Sequence, residues 1–160
     1  MSLRHCFPMR RILIALLLLG SFKSFAADAV TGTVVKVLPF FLDQQGRNAK
    51  SPSLFDRDAY QTWLRDHTNE ISAVRFDVLW KAAKSADEKL KLRVELHGIG
   101  ATGLPTIKIF ETEVTPKTFG RWTTFTLDGD ELKNFGSVAA WRTTLWNGDQ
   151  LLSEQKSFLW

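Results

Sequence analysis

Cysteine is the first thing this chain lacks. The only one, Cys6, lies among the first eleven residues, so everything after it has neither a disulfide nor a thiolate. It precedes the apolar run Ile12–Leu19 instead of following it, which is not where a lipoprotein cysteine stands. That run is itself too short to cross a bilayer, which takes about 20 residues. Catalytic signatures are missing as well. There is no G-x-S-x-G, and with His67 and His97 in no distinctive setting a triad is unsupported. Gly98, Gly100 and Gly103 follow a strand, but their spacing is wrong for a phosphate loop and no Lys-Ser/Thr pair follows. No internal repeat, low-complexity tract or interdomain linker is visible.

Excess charge is absent too, once the leader is set aside. Arg4, Arg10 and Arg11 form a positive start, Ile12–Leu19 an apolar centre, and Ser24-Phe25-Ala26 a small-residue cleavage site, with Lys23 just before it. That order predicts a secretory signal peptide over residues 1–26, removed on export to the periplasm or beyond. The formal charge of +4 comes from 21 basic and 17 acidic residues; four of the basic ones (Arg4, Arg10, Arg11, Lys23) are in the leader, leaving 17 against 17. A balanced domain argues against a nucleic-acid partner, which calls for a basic patch or stripe. Removing 26 of 160 residues leaves 134, the length of one domain able to bury a core without disulfides.

What is present is β-structure. Val30 to Leu38 is rich in β-branched residues, and Pro39 predicts either the end of that strand or a place at a sheet edge. Residues 56–66 carry helical spacing (Ala59, Trp63, His67, with Tyr60 and Leu64 beside them) behind a Ser53 cap, and predict one short helix or an ordered loop. Ile71–Lys81 alternates cleanly, with Val74, Phe76, Val78 and Trp80 on one face. Lys89–His97 does the same with Leu90, Leu92, Val94 and Leu96. The two are expected to pair as a hairpin with one buried and one wet face. Residues 106–115 switch facing near Phe110, which predicts a bulge or a crossover there. A further strand over 121–127 leads into Asp128-Gly129 and a single helical turn or link over 130–135. The chain closes with two strands, 138–146 and 150–159, joined at Asn147-Gly148. Ala139, Trp141, Thr143 and Leu145 are expected on one face, with Leu151, Leu152, Phe158, Leu159 and Trp160 packing on the return.

About seven short antiparallel strands predict an all-β, small antiparallel two-sheet β-sandwich over residues 27–160. The pattern is generically similar to immunoglobulin-like or fibronectin type III-like domains. The similarity concerns the fold alone, because the Cys…Trp…Cys spacing is absent, and it carries no functional residues.

Few residues stand out as a site. The two histidines after the leader, His67 and His97, have only scattered carboxylates for company, so no metal or other cofactor is expected. Glu111 and Glu113 read as a solvated strand face before they read as a catalytic pair. Asp128-Gly129-Asp130-Glu131 is a turn that lacks the spacing of a calcium loop. The aromatic residues are more open: six tryptophans (Trp63, Trp80, Trp122, Trp141, Trp146, Trp160) follow the leader. Trp80 and Trp141 are expected in the core. Trp146, Asn147 and Asp149 at the last turn, and Tyr60 and Trp63 on the helix, are the candidate binding residues, since exposed aromatic rings beside polar groups anchor proteins or stack on glycans. The expectation is an exported, non-catalytic module, binding a protein or glycan or serving a structural role, without stable membrane insertion. The alternatives are a small outer-membrane β-barrel, disfavoured by Glu154 and Lys156 in the terminal strand, and a small hydrolase or metal-binding protein without a recognisable motif.

Overall fold

The computed structural model describes residues 30–83 and 89–160. The leader and its cleavage site lie outside the described residues. In chain order the elements are β1 (Gly32–Asp43), α1 (Leu54–Asp66), a 3-10 turn (Thr68–Glu70), β2 (Ile71–Ala82), β3 (Leu90–Ile99), β4 (Pro105–Val114), β5 (Arg121–Asp128), α2 (Gly129–Phe135), β6 (Ser137–Asn147) and β7 (Gln150–Lys156). All neighbours run antiparallel, in a three-stranded sheet ordered β1-β2-β5 and a four-stranded sheet ordered β4-β3-β6-β7. This is an immunoglobulin-like two-sheet sandwich in which the fourth strand joins the third instead of lying beside the fifth. The seven strands form two sheets, not one closed ring, and none of the described helices is long and apolar enough to cross a membrane.

The core is the set of residues that the alternation singled out. Phe76, Val78 and Trp80 of β2 and Leu90, Leu92, Val94 and Leu96 of β3 are all buried, joined by Phe125 and Leu127 of β5 and Leu145 of β6. Each such side chain contributes about 1.5–3 kcal/mol relative to an exposed one. The buried Trp80 also satisfies its indole N–H on Thr123 Oγ1 at 2.9 Å.

The pairing of these strands corrects the sequence reading. β2 and β3 do not form a hairpin. β2 lies between β1 and β5, β3 lies between β4 and β6, and their apolar faces meet across the sandwich. Period-2 alternation shows which side of a strand is dry, but a strand in the facing sheet dries that side as well as a hydrogen-bonded neighbour would.

Of the two places expected for Pro39 the structure takes the sheet edge: β1 continues through it to Asp43, because on an edge strand the missing N–H costs no ladder bond. Three smaller corrections have equally local causes. β4 pairs with β3 without any shift of register from Pro105 to Val114; Ile107 (65% exposed) and Ile109 (43% exposed) simply face outward. Ala139 is exposed, as the extra residue of a bulge between the His97–Ala140 and Gly98–Val138 pairs. β7 ends at Lys156, so Phe158 and Leu159 are exposed instead of packed, and the loop of the last hairpin is Gly148-Asp149, with Gly148 at a φ of 53°.

The helix is real. The Asp56 N–H donates to Ser53 Oγ at 3.3 Å, Asp56 and Arg65 complement the two ends of the dipole, and Tyr60 and Leu64, one turn apart, are buried. The Asp56 carboxylate accepts from Ser51 Oγ at 2.6 Å and does not reach back to Ser53, so only half of a capping box forms.

Candidate functional site

Strand β1 is the edge of its sheet, and its free side is sealed by two different devices. Along its first half β7 lies close by. The Val34 N–H donates to Ser153 Oγ at 3.0 Å, and Gln155 Nε2 donates to the carbonyl oxygens of both Val34 and Val35 at 3.1 Å. Both carbonyls are in reach because β1 bulges between Val34 and Lys36. A Cβ on Gly32 would stand 2.7 Å from Leu145 Cδ2 and 3.0 Å from Leu152 Cδ1, so the two sheets close tightly here.

Along the second half β7 is gone. It pairs only with Arg142–Asn147 of β6; the last contacts are Ser157 N–H to the Trp141 carbonyl and Trp141 N–H to Ser157 Oγ, at 2.9 and 3.1 Å. Residues Ser137–Ala140 of β6 therefore have no strand neighbour on that side among the described residues. On β1 the place of a partner is taken by one side chain from α1. Phe41 N–H donates to Gln61 Oε1 at 2.8 Å, and Gln61 Nε2 donates to the Phe41 carbonyl at 2.9 Å. The Gln61 amide thus imitates a strand neighbour and blunts the edge.

Between α1 and the uncovered part of β6 runs a groove in two confluent parts of about 560 and 590 Å³, both bordered by Phe41, Arg65, Val74 and Val138. Its floor is core that β7 leaves partly open at Phe41, Val138 and Trp141, over the buried Phe76, whose ring meets that of Trp141 edge to face at 6.4 Å. Arg57 and Arg65 of α1 and Lys133 of α2 line it, with Asp58 the one carboxylate among the lining residues. Arg57 pairs with Asp58 at 3.0 Å and Lys133 with Asp130 at 3.0 Å, whereas Arg65 has no ion pair among the described residues.

α1 is held in place by a buried polar node. The Asp43 carboxylate, at the end of β1, accepts from the N–H groups of Gln45 and Arg47 (both 2.9 Å), from Arg47 Nε (2.9 Å) and from the Tyr60 hydroxyl (2.8 Å). Burial alone would raise its pKa. The donors, led by the Arg47 N–H and the Tyr60 hydroxyl, outweigh burial and hold Asp43 at about 2. Burial, together with the neighbouring carboxylate, moves Tyr60 the other way, above its ordinary value.

The residues singled out from the sequence fall at opposite ends of the sandwich. Tyr60 is buried by this node. Trp63 is partly exposed, stacked between Tyr60 and His67 at 5.6 and 4.3 Å, with Lys50 Nζ 5.1 Å from its ring. His67 caps the helix, its Nδ1 lying 2.8 Å from the Trp63 carbonyl. Trp146, Asn147 and Asp149 lie at the other end. Trp146 is half-buried, donates its indole N–H to Thr144 Oγ1 at 2.8 Å, and with Lys91, Arg93, Glu111 and Asp149 borders a hollow of about 170 Å³; Asn147 pairs with Gln150 in the ladder.

The carboxylates weighed as sites are matched by cations. Glu113 lies 2.6 Å from Lys89, Glu111 lies 3.7 Å from Arg93, and Glu131 lies 2.7 Å from Lys108. Glu95 is mostly buried on the outer face of the four-stranded sheet. Burial works against its charge, but Arg142 at 3.0 Å and His97 at 3.3 Å prevail and lower its pKa. Among the described residues no group of three or more His, Cys, Asp or Glu side chains is placed to hold a metal ion.

The sequence reading missed the groove. It assigned Trp141 to the core and did not single out Phe41, Gln61, Arg65 or Val138. The one available signal was the polar run Ser153-Glu154-Gln155-Lys156-Ser157, which breaks apolar alternation and marks where the last strand runs out.

Fold and flank together define a small immunoglobulin-like β-sandwich whose two sheets are closed along half of one side and open along the other half. No family model matches the chain, and no curated protein matches it. Among solved structures it is similar to an immunoglobulin-like protein from Pseudomonas aeruginosa, at 14% identity over 82% of this chain and 96% of that one, with a TM-score of 0.37. The fold assignment stands on the strand order and registers given above.

Proposed function

We propose that the chain is an exported, non-catalytic module that binds another protein, and that the groove between α1 and the uncovered part of β6 is its binding surface. The observation that carries this reading is the apolar floor of Phe41, Val138 and Trp141 beside four residues of β6 that, among the described residues, pair with β3 on one side and with no strand on the other. An edge strand next to open core is a recognised site of protein association, and proteins that do not use such an edge normally cover it. Export is supported by the leader pattern over residues 1–26. Protein is favoured over glycan because the aromatic side chains of the groove form its floor, with the Trp141 ring held edge-on against Phe76, while its backbone edge is what stands open.

Selection of displayed random peptides on the purified chain tests the reading. Binders are expected whose affinity falls at least about tenfold with Val138→Asp and is unchanged with Trp146→Ala. Binders lost with Trp146→Ala and indifferent to Val138→Asp would move the site to the hairpin end. Failure to select any peptide, together with binding on a glycan array, would overturn the protein-binding reading.

A further inference from the structure

The groove also specifies how its ligand would bind. We infer that the ligand is an extended, acidic segment of another protein that adds as a strand to β6 at Ser137–Ala140, taking up the line that β7 leaves at Lys156. The inference rests on the protein-binding reading above and narrows it to one mode of binding and one charge.

The mode follows from which hydrogen-bonding groups remain free. On the β1 side of the groove, Phe41 has both its N–H and its carbonyl engaged by Gln61, and Pro39 has no N–H to give. That side cannot supply a ladder. On the β6 side, β7 has already shown the edge competent to pair from Arg142 to Asn147, and it departs only because its chain turns off at Ser157. An added strand would thus bond along one edge only, to the four-stranded sheet. Its alternate side chains would fall on the floor of Phe41, Val138 and Trp141, which calls for apolar residues at every second position.

The charge follows from what meets the far side of such a strand. That wall is α1, with α2 at one end, and it presents Arg57, Arg65 and Lys133 against the single carboxylate of Asp58. The domain after the leader is balanced, so this excess is local to the groove. Arg65 lacks an ion pair among the described residues, which leaves its guanidinium available to a ligand carboxylate or carbonyl. A basic ligand would meet repulsion from Arg65, whose charge no described carboxylate pairs, whereas Arg57 and Lys133 are matched by Asp58 and Asp130.

Blocked octapeptides test mode and charge separately. The parent alternates glutamate with valine. A second carries lysine for glutamate. Two more carry N-methyl groups on one or the other set of alternate amides. The parent is expected to bind the full chain with an affinity that weakens as salt rises, and the lysine peptide at least about tenfold more weakly. Because a strand on one edge bonds through every second residue, one methylated peptide is expected to match the parent and the other to lose binding. Arg65→Glu, an exposed change whose fold is checked by a cooperative thermal transition lowered by a few degrees at most, is expected to weaken the parent and strengthen the lysine peptide. If both methylated peptides bind like the parent, strand addition is wrong. If the lysine peptide binds as well as the parent, the charge assignment is wrong. In either case the displayed binders sensitive to Val138→Asp would leave the protein-binding reading standing. If the parent only self-associates the chain, so that its effect appears in sedimentation and not in binding to the monomer, the groove serves a second copy and the inference fails.

Discussion

The two halves of the β1–β6 flank start from the same materials and end differently. In the half near Gly32, β7 brings Leu152 onto the core and Ser153 and Gln155 onto the β1 backbone, and the sheets close until a Cβ at residue 32 would press on the Leu145 and Leu152 side chains. In the half near Asp43, a single glutamine from α1 satisfies β1, no described strand pairs with β6 on the side away from β3, and Phe41, Val138 and Trp141 remain partly open. What separates them is one strand. The closed half shows what a strand does on this flank, and the open half has the same edge without it. Stability should therefore concentrate in the first half and binding in the second.

Truncation at matched positions puts the largest strain on that contrast. Leu145 is fully buried in the closed half, and Leu145→Ala should destabilise the domain by about 4 kcal/mol, since the two sheets packed around it cannot collapse fully into the space. Val138 is partly buried in the open half, and Val138→Ala should cost about 1 kcal/mol, mostly the loss of transferred methyl groups. Urea unfolding of the two variants measures both. Equal losses would mean that the open half is packed like the closed one, and the contrast would dissolve.

A smaller effect is expected at the post that holds the groove wall. Asp43→Asn keeps the size of the side chain but removes the charge that four donors point at, and should cost about 2–3 kcal/mol. The pH dependence fixes the cause. The Asp43 carboxyl is lowered to about 2 from an ordinary 3.8, so its contribution is fully present above about pH 4 and is lost as pH falls toward 2. Wild type should lose stability over that window, and Asp43→Asn should show a flatter acid limb. Parallel acid limbs would show that the charge at Asp43 does not anchor α1.

The contrast also explains what the sequence could and could not show. Dry faces were legible: Val74, Phe76, Val78 and Trp80, and Leu90, Leu92, Val94 and Leu96, alternate because one side of each strand meets water. The helix was legible from Ser53, Tyr60 and Leu64, because caps and i,i+4 burial are local. Partners were not. Whether β3 lies beside β2 or across from it leaves the same alternation in both strands, so the expected hairpin became two facing strands. The groove was hidden for a related reason. Trp141 carries the pattern of a core residue, and its partial opening depends on where β7 stops, a boundary decided by the turn at Ser157 and not by any residue of β6. Of the candidate site residues, the ones that local pattern proposed lie at two opposite ends. The open flank between β1 and β6 is made by residues far apart in sequence, brought together by two sheets.

The smallest effect concerns the residues just after β7 ends. The sequence pattern puts Phe158 and Leu159 in the final strand with Trp160 packing just after it, so that their removal is expected to destabilise the core. In the structure Phe158 and Leu159 are exposed, and Trp160 lies over the outside of the four-stranded sheet, its ring 4.2 Å from His97 and 4.7 Å from the Arg142 guanidinium. Deleting Phe158–Trp160 forfeits that one stack, worth about 1 kcal/mol at a partly exposed site, and leaves Ser157 to hold Trp141. The melting transition should shift by a few degrees at most, and parent-peptide affinity should stay within about twofold of the full chain. A loss as large as that of Leu145→Ala would mean that the terminal residues help close the flank, and that the open half is narrower than the end of β7 makes it.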